Sequence, residues 1–451
     1  MHGLMEQRIA DWNGWVNGYV WGWPMIVLLL GTGLVLTILT GGVQFRRLGR
    51  ALGEVLGNVG RRGTAEGSLS PFQAVSTALA STVGVGNIAG VATAVSLGGP
   101  GAIFWLWVSG LLGMCTKYAE IVVAMQFRER DAAGVMRGGA MYTLRKGLGL
   151  PWLGTVFAAL VSLAAFGIGN MVQANSVAAS LHDSFGIDPR MSGIDLVAVA
   201  AAVILGGVRR IGQVAELMVP GMALIYICGG LFVLVRFAGE IPGALQLIFD
   251  GALNGTAAVG GFAGGTVMLA LRYGVARGLF SNEAGLGSAP MAHAAARSDH
   301  PVRQGLYGIF EVFVDTIVVC TMTALAILVT GVWHSGATGA ALAGQAFSAG
   351  LPGTAGNLVV TVSLALFAFS TVIGWSYYGE TGVVYLFGTG ATLPYRLLWL
   401  VFIYLGAVGS LHLVWDVADT LNGLMAIPNL VALLASIPLL RRLTREFFAR
   451  R

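Results

Sequence analysis

The sequence predicts an all-α polytopic membrane protein with eleven transmembrane helices: a 5+5 inverted repeat with two broken helices, plus one extra N-terminal helix. Three observations predict it. Of 451 residues, 56% are hydrophobic and 10% charged, where a soluble chain carries roughly 25% charged residues. Apolar runs recur along the chain at the roughly 20 residues a crossing helix needs. The basic residues gather on one side of those runs.

In chain order, the first predicted span covers 21–39. The residues before it include Glu6, Arg8 and Asp11. With no basic start and no small-residue cleavage site, the span reads as a retained helix and not a signal peptide. The stretch "FRRLGRALGEVLGNVGRRG" then forms a basic amphipathic linker, completing an N-terminal region at 1–70. Spans at 72–96, 101–128, 152–182, 193–208 and 214–237 make a first five-helix repeat, residues 71–238. Spans at 260–293, 306–332, 355–387, 395–411 and 413–440 make a second, residues 239–440, before a basic tail at 441–451. "ALQLIFDGALNG" and "GAALAGQAFSAG" are too short or too polar to cross and read as helices lying on the surface.

Charge placement supports this count. With the N-terminus outside, 20 of the 26 Lys and Arg fall in inner segments, three in outer segments and three within spans. That bias obeys the positive-inside rule and assigns the C-terminus to the cytoplasm. It also accounts for the net charge of +5 by membrane topology, leaving no case for nucleic acid. The two sets of five spans then run in opposite orientations, as an inverted repeat requires. Cys115, Cys228 and Cys320 are far apart within apolar runs and read as buried, inert thiols.

Residues 81–93, "STVGVGNIAGVAT", match the dinucleotide fingerprint G-x-G-x-x-[G/A]. That fingerprint must follow a strand and open a soluble helix, whereas this stretch lies inside an apolar segment. Close helix packing on Gly84, Gly86 and Gly90 is the plain alternative. Gly84 and Gly86 do not share a helix face, and Ser81, Thr82 and Asn87 bring polar groups into hydrocarbon. The stretch therefore reads as a helix unwound at mid-bilayer, which survives only where it lines a site. The seventh span, "GGFAGGTVMLALRYGVARGLFSNEAGLGSAP", is punctuated by Gly274, Gly278, Gly285 and Gly287 and interrupted by Arg277, Asn282 and Glu283. Matching interruptions in corresponding spans point to a transporter's central site. Freed N–H groups there can hold a carboxylate, and freed carbonyls an ammonium group or small cation.

"TVGVGNIAGVATA", "GGPGAIFW", "FGIGNMVQANS", "GVARGLFSNEAGLGSAP" and "FAFSTVIGWSYYGE" resemble the alanine or glycine:cation symporter family of the amino acid–polyamine–cation superfamily. The resemblance covers about residues 70–440. It implies a leucine-transporter-type fold in a bacterial inner membrane and sodium-coupled symport of small neutral amino acids such as alanine or glycine. It further implies a sodium ion held by the carbonyls of Ala80 and Val83 and the hydroxyls of Ser370 and Thr371, neutral oxygens suited to a hard cation. Asn87 matches an amide that serves a further sodium in some relatives. Substrate contacts are implied from Thr82, Gly84 and Gly86 on one broken helix, and from the Gly274–Leu279 stretch (Gly274, Val275, Gly278, Leu279) on the other. Gln173 and the pocket-limiting Trp375 complete the set.

Each assignment has a structural alternative. Gln173 and Asn175 can bond between helices, Trp375 with Tyr377 and Tyr378 can form an interfacial belt, and Ser370 and Thr371 can bond their own backbone. Lys117, Glu120, Arg272, Arg277, Glu283, Glu311, Asp315, Asp416 and Asp419 are ionisable groups at depth. Most read as gate salt bridges, with Glu120 and Glu283 near arginines that could pair with them. An enzyme finds no support: there is no H-E-x-x-H, no G-x-S-x-G and no acid-rich metal cluster. A proton in place of sodium stays open as the coupling ion.

Overall fold

Helix starts and stops follow the Gly, Pro and Ser punctuation of the chain. A computed structural model describes residues 2–61, 63, 65–253, 267–409 and 412–449. Helices α1 (His2–Val20) and α2 (Trp23–Leu39) meet at Trp21-Gly22, with Pro24 in the first turn of α2. The linker carries amphipathic α3 (Leu48–Leu56), which buries Ala51 and Val55. Ser70 and Gln73 then form a reciprocal capping box that starts α4 (Pro71–Thr82), satisfying two of the orphan donors of a helix start. After a break and a π-helical turn at Gly86–Gly90, α5 (Val91–Gly98) completes the span. α6 (Ala102–Gln126) leads to a small hairpin, β1 (Glu129–Arg130) with β2 (Met136–Arg137). α7 (Pro151–Ala164) and α8 (Val172–Phe185) are joined by a π-helical segment at Ala165–Met171. α9 (Pro189–Ile204) and the long α10 (Gly207–Arg236), with Pro220 inside it, follow.

The remainder comprises α11 (Ile241–Leu253), α12 (Val267–Asn282), α13 (Pro290–Ala294), α14 (Pro301–Val312), α15 (Thr321–Val329), α16 (Gly339–Gly350), α17 (Ala355–Phe387), α18 (Thr392–Val408), α19 (His412–Ala435) and α20 (Ile437–Ala449). A π-helical segment, Phe313–Cys320, joins α14 to α15. α12 and α14 lie along α6, and α17 runs through the centre against α4, α7, α8 and α10.

The distribution of polarity is that of a membrane protein. Leu217, Leu224 and Val235 of α10 and Val401 of α18 are exposed, while Lys117, Glu120, Glu311 and Asp315 are buried. Among the described residues, eight helices are long and apolar enough to cross a bilayer, and the α4–α5 pair, bent by 50°, makes a ninth. The two other predicted spans fall short of that length. α9 has 16 residues, and α12 has 16 with residues 254–266 before it outside the described chain. The two surface helices appear as α11 and α16. Cys115 and Cys320 are buried as expected, but Cys228 is exposed on the lateral face of α10. In the run around it Leu224, Ile225, Leu231 and Phe232 are exposed while Tyr226, Gly229 and Gly230 are buried, and Cys228 falls on the exposed side.

Candidate functional site

The first break lies where the sequence places it. Val83 turns extended, with φ −77° and ψ 93°, and stops α4. Two side chains capture the N–H groups thereby released. Gly84 N donates to Asn87 Oδ1 at 2.9 Å, and Val85 N to Gln173 Oε1 at 3.5 Å. Those N–H groups would otherwise close the last helical turn, so the carbonyls of Ala80 and Ser81 lose their helical donors. Carbonyls at a helix C-terminus carry the negative end of the dipole, which suits a small cation.

α17 supplies hydroxyls to the same place. Ser370 Oγ lies 3.4 Å from Val83 O, and a Cβ on Gly84 would collide with Thr371 Oγ1. Both hydroxyls also bond Phe367 O, at 2.8 and 3.0 Å, so the backbone-bonding alternative holds at the same time. The Thr82 hydroxyl turns back to Ala78 O. Gly86 packs against Phe280 and Ser281, bringing the first broken span against the end of α12. Gln173 stands at the break, spending its amide on Val85 N and Ile168 O. Asn175 bonds Gly406 O and Gly409 O of α18 and its end, the interhelical role weighed for it.

Asn87 holds a partner the sequence did not reveal. Its Nδ2 donates to Asp315 Oδ1 at 2.6 Å, from the π-helical segment between α14 and α15. Asp315 also accepts from Ser281 Oγ at 2.9 Å and Thr316 Oγ1 at 2.9 Å. A fully buried carboxylate thus ties both broken spans together through neutral donors. The only sequence signal was an acidic residue in an apolar run, one helical turn beyond Glu311.

The second break falls at the later of the interruptions the sequence marks, Glu283, Gly285 and Gly287, and not at Gly274–Leu279. Gly274, Val275, Gly278 and Leu279 lie in continuous α12, where Gly274 and Gly278 fit closely against Ala102, Trp105 and Ser109 of α6. These glycines serve helix contact, and the helix opens only after Asn282. There Glu283 adopts φ 55°, the one positive-φ residue other than glycine among the described residues, with Gly285 and Gly287 at 97° and 80°. Such backbone strain concentrates at functional sites. Glu120 does not pair with arginine: its Oε1 accepts Gly285 N and Gly287 N, each at 3.0 Å, and Asn429 Nδ2 at 2.6 Å. Nor does Glu283, which accepts from Ser288 Oγ and from Trp375 Nε1, the latter at 2.8 Å. A broken helix exposes N–H groups that outcompete distant guanidinium groups. Trp375, Tyr377 and Tyr378 are buried, which removes the interfacial-belt alternative. Trp375 packs on Gly169 and holds the second break through its indole N–H.

The two faces of the molecule differ. A cavity of about 630 Å³ reaches the first break at Val85 and continues past Ala89, Thr93, Ser184 and Trp415 to one face. On the opposite, arginine-rich face a clasp joins the outer ends of the broken spans. Ser68 N and Leu69 N donate to Ala295 O, and Arg297 N to Leu69 O. Arg128 fastens it through Ala294 O at 3.1 Å and Ala296 O at 2.6 Å. Nearby, Arg137 pairs with Asp131 and Glu380, and Arg396 with Glu380.

A helical membrane protein with two interrupted spans, a cavity reaching one interruption from one face and a clasp on the other is built as a transporter. The chain matches the sodium:alanine symporter family over residues 6–451 and belongs to it. It is 51% identical to the sodium/alanine symporter AgcS of Methanococcus maripaludis, over 93% of each chain. It is 46% identical to an uncharacterized transporter of Haemophilus influenzae, over 96% of this chain and 95% of that one. It is 39% identical to the probable sodium/glutamine symporter GlnT of Bacillus subtilis, over 95% and 88%. The protein is a transporter and not an enzyme.

Proposed function

We propose that this transporter couples entry of a small neutral amino acid, alanine or glycine, to sodium by alternating access in a bacterial inner membrane. Eleven spans with an inverted five-helix repeat, N-terminus outside and C-terminus cytoplasmic, complete the reading. The arginine-rich face is then the cytoplasmic one, and the cavity opens outward.

The observation that carries the reading is the meeting of Ser370 and Thr371 with Val83–Gly84. Two hydroxyls and the freed carbonyls of Ala80 and Val83 form an uncharged oxygen set, the chemistry a weakly charged hard cation takes. The residues fit sodium. When bound there, the ion supplies the positive charge that draws α4 and α17 together. Amino-acid substrate binds beside it on Thr82, Gly84 and Gly86, with Gln173 and Trp375 shaping the pocket and the N–H groups of the break meeting its carboxylate. Val275 and Leu279 of α12 support that pocket from behind. Asn87 belongs to the same centre through Asp315, whose carboxylate offers a further cation a place between the two broken spans.

Substrate and ion share one unwound segment, so each stabilises the state the other binds. Alanine uptake into proteoliposomes with and without a sodium gradient tests the reading. Sodium-dependent accumulation supports it, and uptake indifferent to sodium but driven by a pH gradient makes the coupling ion a proton.

A further inference from the structure

More carboxylates surround the second break than its cations neutralise. Lys117 Nζ stands 3.4 Å from Glu311 Oε1, and His293 Nε2 lies 3.0 Å from Glu311 Oε2. Gln304 Nε2 faces His293 Nδ1 at 2.8 Å. His293 is thus held between Gln304 and Glu311. Lys117 pairs with Glu311 and also lies near Glu120 and Glu283, one lysine among three carboxylates. Glu120 and Glu283 are both buried, and among the described residues their hydrogen-bond donors are all neutral. Glu120 is lopsided: Oε1 accepts three hydrogen bonds while buried Oε2 has none. Tyr378, whose hydroxyl is also buried, is the further titratable group facing them from α17. Asn429 of α19 contributes no charge.

We propose that Glu120 and Glu283 form a proton-binding pair that holds one proton while the clasp on the arginine-rich face is closed and gives it up when that face opens. Two buried carboxylates beside one already-paired lysine cannot both stay charged without a large desolvation penalty. The break they hold, residues 283–289, runs through the short α13 into the clasp at Ala294–Ser298. Parting the clasp brings water to the pair. The O–H bond of one carboxylic acid then breaks, its electron pair stays on the carboxylate and the proton passes to water on that face. Closure reverses the step. The proton enters and leaves on one side, so pH on the arginine-rich face sets the balance between the two states, while pH on the other face leaves it alone. Acid there favours the closed clasp.

This control rests on the transport reading, but the proton does not, so infrared spectroscopy of the full-length protein in lipid nanodiscs tests it directly. A carboxylic-acid C=O band, present in mildly acidic buffer, is expected to fade in mildly alkaline buffer, and Glu120→Gln or Glu283→Gln is expected to remove it. Absence of such a band in the wild type overturns the proposal, and this measurement needs no variant to fold. Asp315 is another buried carboxylate with neutral donors, so the band is read in the wild-type-minus-variant difference spectrum, and a difference spectrum without it overturns the proposal equally. In proteoliposomes, uptake is expected to change by about threefold per pH unit at the midpoint and toward about tenfold on the titrating limb, as for one proton. It should follow the pH only on the arginine-rich face, with a flat profile for Glu283→Gln. The infrared band with no amino-acid transport at all would leave the proton site standing and the transport reading fallen.

Discussion

Ser370 Oγ lies 3.4 Å from the carbonyl oxygen of Val83, across 287 residues of chain. The contact joins the end of α4 to the middle of α17, the two elements an ion must bridge to couple its binding to helix movement. Removing both hydroxyls with Ser370→Ala and Thr371→Ala takes two oxygens from the ion. A loss of about 1–3 kcal/mol of ion binding follows, roughly five- to 150-fold in half-saturating sodium. Alanine uptake against sodium concentration in proteoliposomes measures the shift, and saturating sodium should recover most of the substrate affinity. An unshifted curve would remove these hydroxyls from the ion site.

Asn87 offers a second test. Its Oδ1 takes the Gly84 N–H and its Nδ2 serves Asp315. Asn87→Ala strands a buried donor and removes one of the carboxylate's partners, costing about 1–3 kcal/mol for each unmet group. Asn87→Asp places a second carboxylate against Asp315 and should cost more. Thermal unfolding in nanodiscs should rank wild type above Asn87→Ala, and Asn87→Ala above Asn87→Asp. If Asn87→Asp is the most stable of the three at high sodium, a cation sits between the two carboxylates.

The first break was legible because its residues are local. Glycines two apart inside an apolar run, flanked by Ser81, Thr82 and Asn87, contradict a continuous helix wherever that run sits. The second break was legible only as a region. Gly274 and Gly278 look like helix breakers in one dimension, but Ala102, Trp105 and Ser109 of α6 make them contact positions. The opening falls at Glu283, whose φ of 55° no residue type announces. Asp315 was visible as an intramembrane acid, while its partners Asn87 and Ser281 come from spans 228 and 34 residues away. Pairings of that range depend on how helices pack, which composition and spacing do not encode. The same holds for Glu120, whose partners are backbone N–H groups freed by a break elsewhere in the chain.

Trp375 clamps the second break and, in the proposed function, also walls the pocket. Its ring covers Gly169 while Nε1 donates to Glu283. Trp375→Ala should widen the range of transported amino acids toward larger side chains, at a stability cost of about 3–5 kcal/mol for an emptied aromatic site. Trp375→Phe retains most of the volume and loses the N–H, so it should keep the parent's substrate profile while disturbing the second break. Competition of labelled alanine by alanine, valine and glutamine separates the two variants. An unchanged profile in folded, active Trp375→Ala would show that the ring does not bound the pocket.

The clasp makes a prediction about dynamics. Arg128 holds Ala294 O and Ala296 O beside the Leu69–Ala295 hydrogen bonds. Charge-assisted bonds of this kind contribute about 1.5–3 kcal/mol each, and Arg128→Ala removes at least two. Amide exchange at Leu69 and Arg297 should accelerate by about a hundredfold or more, while exchange in α7 and α8 stays unchanged. Uniform acceleration would mean that Arg128 supports the whole fold and not the clasp.

Gln173 decides whether the first break is held open or merely occupied. Its Oε1 accepts Val85 N at 3.5 Å, long for an amide hydrogen bond, while Nε2 donates to Ile168 O at 3.0 Å. A substrate carboxylate beside Val85 would compete for that N–H with a full negative charge, and charged acceptors form the stronger bond. Gln173 would then cede Val85 N to the substrate, and the N–H of its amide not used by Ile168 O would donate to the same carboxylate. Gln173→Ala should weaken alanine binding by about ten- to a hundredfold, the equivalent of about 1.5–3 kcal/mol, and leave sodium binding largely intact. Gln173→Glu keeps an acceptor but sets a negative charge where the substrate's carboxylate must sit, so it should bind alanine more weakly than Gln173→Ala. Equilibrium binding of labelled alanine to the purified variants, at fixed saturating sodium, orders them. Alanine affinity equal in wild type and Gln173→Ala would reduce Gln173 to a packing contact of the π-helical segment.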